Sequence, residues 1–97
     1  MTLVYHRNVQ RDVSEVLAYY DEVGGPELGD SFFAEFMAQI ALVVENPTRF
    51  HPVDDDLRRV NLARFPYHFL FRIYGNTVRI LVVRHHHRHP DYGIHRK

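Results

Sequence analysis

Tyr67-His68-Phe69-Leu70-Phe71-Arg72-Ile73-Tyr74, then Gly75-Asn76, then Thr77-Val78-Arg79-Ile80-Leu81-Val82-Val83-Arg84-His85-His86 is the stretch whose reading decides the fold. The first run is almost wholly aromatic or β-branched, the composition of a strand covered on both faces. Gly75-Asn76 is a two-residue connection with glycine first, which suits a type II′ hairpin. The returning run alternates, placing Val78, Ile80 and Val82 on one face and Arg79, Leu81 and Val83 on the other. Upstream, Arg58–Ala63 (RRVNLA) alternates in the same manner. Together these segments predict a three-strand meander.

An aromatic sheet needs a cover, and the first half of the chain supplies one. Thr2–Arg7 (TLVYHR) alternates and reads as a short strand, with Asn8 placed as a helix N-cap. Val9, Val13, Val16, Leu17 and Tyr20 then fall at helical spacing on one face, with Arg11, Asp12 and Glu15 opposite. Gly24-Gly25-Pro26 ends that helix. A second helix is expected from Glu27 to Glu45, striped by Phe32, Phe33, Phe36, Met37, Ile40, Val43 and Val44. Core packing explains that aromatic stripe better than a ligand box, and Asn46-Pro47 stops the helix. The order is β-α-α-β-β-β, an α+β fold with a helix hairpin packed on a small, mostly antiparallel sheet.

The 97 residues predict one domain spanning 1–97, able to bury roughly 60–70% of its unfolded surface. No apolar run approaches the roughly 18–20 residues of a membrane span, and Leu3-Val4-Tyr5 is too short for a signal-peptide core. A cytoplasmic protein without membrane contact is the expectation. Cysteine is absent, which excludes disulfides and thiolate chemistry.

Charge is strongly polarised. Met1–Asp56 carries three Arg against eleven Asp/Glu, whereas Leu57–Lys97 carries nine Arg/Lys against Asp91 alone, so halves of −8 (3 − 11) and +8 (9 − 1) hide inside a net charge of zero. Part of this surplus is expected to pair within the fold, and the rest suits a polyanion or an acidic partner. Five of the eight histidines lie at positions 85, 86, 87, 89 and 95. In a strand His85 and His87 share a face and His86 takes the other, so the run is not three co-directed groups. A structural zinc takes four ligands, no cysteine exists and only Asp91 is near, so no metal or other cofactor is expected.

Arg64-Phe65-Pro66-Tyr67, the aromatic strand, the short turn and Ile80–Pro90 (ILVVRHHHRHP) together resemble the RelE/ParE toxin superfamily. The resemblance covers essentially the whole chain. Its most specific part is the final strand running into His85, Arg88 and Pro90, with Tyr92 and Arg96 beyond. It implies the toxin half of a bacterial type II toxin–antitoxin module, of the kind labelled plasmid stabilisation protein. A small, acidic, partly disordered antitoxin is the implied partner, in a hetero-oligomer. The superfamily further implies two alternative targets: DNA gyrase for ParE-like members, and ribosome-bound mRNA for RelE-like endoribonucleases.

RNA cleavage by 2′-hydroxyl attack needs a base, an acid and cations around one phosphate. The lysine-dependent version is disfavoured because Lys97 is the sole lysine. For a histidine-dependent version the candidates are Arg64, His85, Arg88 and Tyr92, with Asp91 as a further proton-transfer group. The plainer reading of His85 is a strand-end histidine bonded to a neighbouring backbone group. Residues expected to contact the target or antitoxin are Arg58, Arg59, Tyr67, Arg84, His87 and Arg96. The missing lysines favour a ParE-like, non-nuclease toxin. The alternatives are a His/Arg endoribonuclease and a non-toxic binding module of the same fold.

Overall fold

The computed structural model describes Met1–Lys97. Strand β1 (Thr2–Tyr5) leads into helix α1 (Val9–Gly24), and Gly25 at φ +80° turns the chain into helix α2 (Pro26–Glu45). A 3-10 turn at Pro47–Arg49 precedes β2 (Pro52–Asp54), β3 (Leu57–Asn61), β4 (Tyr67–Tyr74) and β5 (Thr77–His85). The five strands form one sheet in the order β1-β5-β4-β3-β2. β1 runs parallel to β5, pairing Thr2 with Thr77 and Tyr5 with Ile80, and the remaining pairs are antiparallel.

The helix hairpin lies on one face of this sheet. Val9, Val13, Val16 and Tyr20 of α1 and Phe32, Phe36, Ile40 and Val43 of α2 are buried against Val60, Phe69, Phe71, Val78, Ile80 and Val83. Phe32, Phe69, Phe71 and Ile80 are wholly excluded from solvent, each contributing about 1.5–3 kcal/mol of burial free energy. The rings interlock edge to face, as in Phe36 on Phe69 at 5.5 Å and Phe32 on Phe65 at 5.5 Å, the arrangement the ring quadrupole favours. Phe33 and Met37 depart from the expected stripe. They sit at its margin, beyond the width of the sheet's cover, and remain 43% and 40% exposed.

Element ends differ from the sequence expectation for local reasons. β1 stops at Tyr5, because His6 is buried and turns its Nδ1 onto the Asn8 amide at 3.0 Å. The Asn8 side chain, expected to cap the helix, makes no capping bond. β2 carries no sequence signal, since all three of its residues are exposed and only backbone pairing to β3 defines it. The turn into β4–β5 is as expected: Gly75 has φ +56° while Asn76 does not take positive φ, the type II′ pattern.

One difference reorganises the site. Across β4 and β5, Leu70 faces Val82 and Phe71 faces Ile80, leaving Leu81 as an extra residue. Such a β-bulge shifts the alternation by one beyond the insertion. Val83, not Val82, therefore joins the helix-side core. Leu81 and Val82 both turn to the other face and form a second cluster with Leu57 and Leu70, covered by Tyr92 and Ile94. The expected assignment of Val82 with Val78 and Ile80 is thus reversed. The segment after β5 folds back over this second face. Gly93, at φ +81°, lies so close to Val82 that a Cβ there would stand 2.5 Å from the valine Cβ.

Candidate functional site

β1 is shorter than β5, so β5 has no strand neighbour on that side past Ile80. Side chains take over its backbone groups. Asp12 Oδ2 accepts the Val83 amide at 3.0 Å, and Arg96 Nη1 donates to the Leu81 carbonyl at 3.0 Å. The two side chains also grip each other, with Arg96 Nη1 2.6 Å from Oδ2 and Nη2 3.1 Å from Oδ1 of Asp12. The Tyr92 hydroxyl donates to Asp12 Oδ1 at 3.4 Å and accepts from Arg96 Nη2 at 3.3 Å. The carboxylate beside the Arg96 guanidinium raises the arginine's affinity for its proton, against the opposing effect of burial. This buried knot fixes the 92–96 segment onto the sheet.

Beside the knot, Tyr67, Arg84, His85, Arg88 and Tyr92 meet Asp12, Glu15, Val16 and Val83 around a cleft of about 130 Å³. Three of the four expected catalytic candidates, His85, Arg88 and Tyr92, come together here. The bulge is what puts His85 on this side, two residues after Val83. Its ring stands edge-on to Tyr67 at 5.1 Å and to His87 at 5.3 Å. Its Nδ1 accepts the His87 amide at 3.0 Å. That bond occupies the Nδ1 lone pair. The Arg88 guanidinium lies 3.8 Å from the Tyr92 ring centre, a cation–π contact. The fourth candidate, Arg64, is elsewhere. It is paired to Glu35 at 3.4 Å and is largely exposed.

The opposite face of the sheet carries a second polar group. Arg84 Nε donates to His68 Nε2 at 2.9 Å, and the two facing Nδ1 atoms of His68 and His86 are 3.0 Å apart. Arg59 Nη2 approaches His86 Nδ1 at 3.4 Å. The proton order follows from the donors: His68 accepts at Nε2, so its Nδ1 carries the proton and donates to His86. Both rings are therefore neutral. Burial, reinforced by the Arg59 and Arg84 charges, lowers His68 to a pKa of about 3. Burial and the Arg59 charge also lower His86.

The expected contact residues divide accordingly. Arg84 holds the Pro90 and Tyr92 carbonyls at 2.7 and 2.9 Å as well as His68. Arg58 donates to the Phe50 carbonyl, and Arg96 serves Asp12. These three arginines bind their own fold. Arg59, Tyr67 and His87 border the two polar groups described above. Asp12 and His68 are buried polar positions that the sequence reading missed. Asp12 was assigned to the polar side, yet it falls one turn after Val9 and one before Val16, at the margin of the buried face. His68 sits unmarked within an aromatic strand. No three His, Asp or Glu side chains converge as a metal site would require, and no helix is long and apolar enough to cross a membrane.

Comparison with known proteins supplies a frame for this geometry. A family model described as the ParE toxin of the type II toxin-antitoxin system, parDE, matches residues 3–90. A solved chain from the chromosomal ParDE TA system of P. aeruginosa superposes with a TM-score of 0.78 at 20% sequence identity, covering 88% of this chain and 95% of that one. At that identity the superposition establishes the shared fold. No curated protein gives a significant sequence match.

Proposed function

The chain belongs to the ParE toxin family of type II toxin–antitoxin systems, and on that premise we propose that it arrests growth by binding an essential protein target without cutting RNA. DNA gyrase is the target the family resemblance implies. The observation that carries this reading is the state of the cleft's chemistry. His85 has its Nδ1 lone pair committed to the His87 amide, and Arg84 and Arg96 are committed to their own fold. Phosphoryl transfer needs a free base and cations aimed at a developing negative charge. In the cleft, of about 130 Å³, the remaining charged side chains are Arg88 and Glu15, and there is no lysine.

A type II module pairs its toxin with an antitoxin. A small, acidic, partly disordered antitoxin suits the surface in two ways. Tyr5, Leu17, Phe33, Phe36 and Met37 line an apolar groove of about 630 Å³ between β1 and the helix hairpin, where a folding-upon-binding segment can anchor apolar side chains. β1 is an edge strand, so its free backbone groups are open to strand addition. Acidic side chains on that segment would meet Arg7 at the groove's rim.

Induced expression in a bacterial host, with and without the antitoxin, tests the proposal. The expected result is growth arrest with a DNA-damage response, relieved by the antitoxin. Arrest with cleaved mRNA and intact DNA would replace it with the endoribonuclease reading. Harmless expression would leave the non-toxic binding module.

A further inference from the structure

Arg72 of β4 and Arg79 of β5 are direct cross-strand partners. Their sequence neighbours Phe71, Val78 and Ile80 belong to the helix-side core, so both arginines emerge on the opposite face. Like charges facing each other across a sheet repel, and nothing local relieves the repulsion. The ion pairs of the chain are Arg64–Glu35, His89–Asp91 and Arg96–Asp12, so neither Arg72 nor Arg79 has a carboxylate partner. Arg79 Nε is buried without a hydrogen-bond partner. Arg72 reaches only the Ile94 carbonyl, at 3.5 Å.

Residues Ile94–Lys97 pass over the same spot. Arg72, Arg79, His95 and Lys97, with Tyr74 and Arg96 as walls, line an open pocket of about 420 Å³ whose lining contains no acidic side chain. It shares no lining residue with the His85 cleft. An unpartnered guanidinium, a second one opposite it and an ammonium close by are complementary to a tetrahedral oxyanion.

We propose that this pocket binds a phosphate group between Arg72 and Arg79, which would neutralise the cross-strand repulsion. The phosphate has two chemical sources, a nucleic-acid backbone or a free phosphate. The site is separate from the antitoxin groove and does not depend on which target the toxin binds.

The test uses the full chain, the single variants Arg72→Gln and Arg79→Gln, and the double variant that combines them. Thermal melts are recorded in inorganic phosphate and in chloride at matched ionic strength, and anisotropy is measured with a fluorescent DNA duplex of about twenty base pairs. Phosphate should raise the wild-type Tm by several degrees more than chloride, and each variant should lose most of that difference. In low salt without phosphate, each variant should melt no lower than wild type, since one of the two facing charges is gone. Duplex binding that phosphate competes away, and that weakens about tenfold in the double variant, assigns the phosphate to a nucleic-acid backbone. A phosphate-specific Tm shift with duplex binding unchanged by the substitutions assigns it to free phosphate. Equal shifts in phosphate and chloride, with duplex affinity unaffected by either substitution, would overturn the proposal.

Discussion

Asp12 and Arg96, 84 positions apart, form a two-point ion pair that is almost wholly shielded from solvent, with side-chain exposures of 2% and 10%. Through it α1, the bulged part of β5 and the 92–96 segment become one unit, because each partner also holds a β5 backbone group. Removing one member strands the other charge. Asp12→Ala or Arg96→Ala should each destabilise the fold by about 3–5 kcal/mol. The double variant Asp12→Leu/Arg96→Met should cost clearly less than the sum. It should still not be neutral, since the Val83 amide and Leu81 carbonyl lose their partners. Urea unfolding of the three variants measures this, and additive losses would refute a coupled pair.

The close approach of Gly93 to Val82 gives a second expectation. Gly93→Ala combines a left-handed backbone with a Cβ driven into a fully buried valine, so it should cost about 2–4 kcal/mol. Gly25→Ala is the control. Gly25 also has positive φ but has nothing within 4 Å of the added Cβ, so only the backbone term of about 1–2 kcal/mol applies. Equal losses at the two sites would mean that the 92–96 segment does not pack on Val82.

Acid should weaken the fold through its neutral histidines. His68 has a pKa of about 3 in the folded chain against 6.5 when unfolded, and His86 and His6 are also lowered, with burial the leading cause. Between those two values the unfolded chain takes up protons that the folded chain refuses. Stability is therefore fully present above about pH 6.5 and falls as pH drops toward 3, with a limiting slope of about 1.4 kcal/mol per pH unit for each proton. Urea midpoints between about pH 4.5 and 7.5 should show it. His68→Gln keeps an acceptor for Arg84 without a titrating ring, and it should flatten the slope.

The element order was legible in the sequence because it rests on periodicity and punctuation. Gly24-Gly25-Pro26, Asn46-Pro47 and Gly75-Asn76 each end an element where the structure ends it. What was not legible depends on geometry between distant segments. The bulge at Leu81 leaves no mark in the run of four apolar residues Ile80–Val83, so the side-chain facing beyond it was read one residue out of step. β2 has no buried side chain to impose a pattern. At the site, His85, Arg88 and Tyr92 were identified and do converge, whereas Arg64 does not. Asp12 escaped notice because its partner lies at the other end of the chain, and a lone acid on a helix margin looks like any solvated one.

The proposed division of labour at the cleft makes a mutational prediction. His85→Ala/Arg88→Ala removes the two groups an RNA-cutting mechanism would need. Such a change should lower a nuclease about 10²–10⁴-fold. For a toxin that acts by binding a protein, the folded double variant should still arrest growth. Plating efficiency after induction, with circular dichroism to verify folding, reads the outcome.

The most direct measurement is DNA supercoiling by purified gyrase in the presence of the purified chain. Inhibited supercoiling, reversed when the antitoxin is added, is the predicted result, with ribosome-bound mRNA left intact in a parallel reaction. Undiminished supercoiling together with cleaved mRNA would contradict the account.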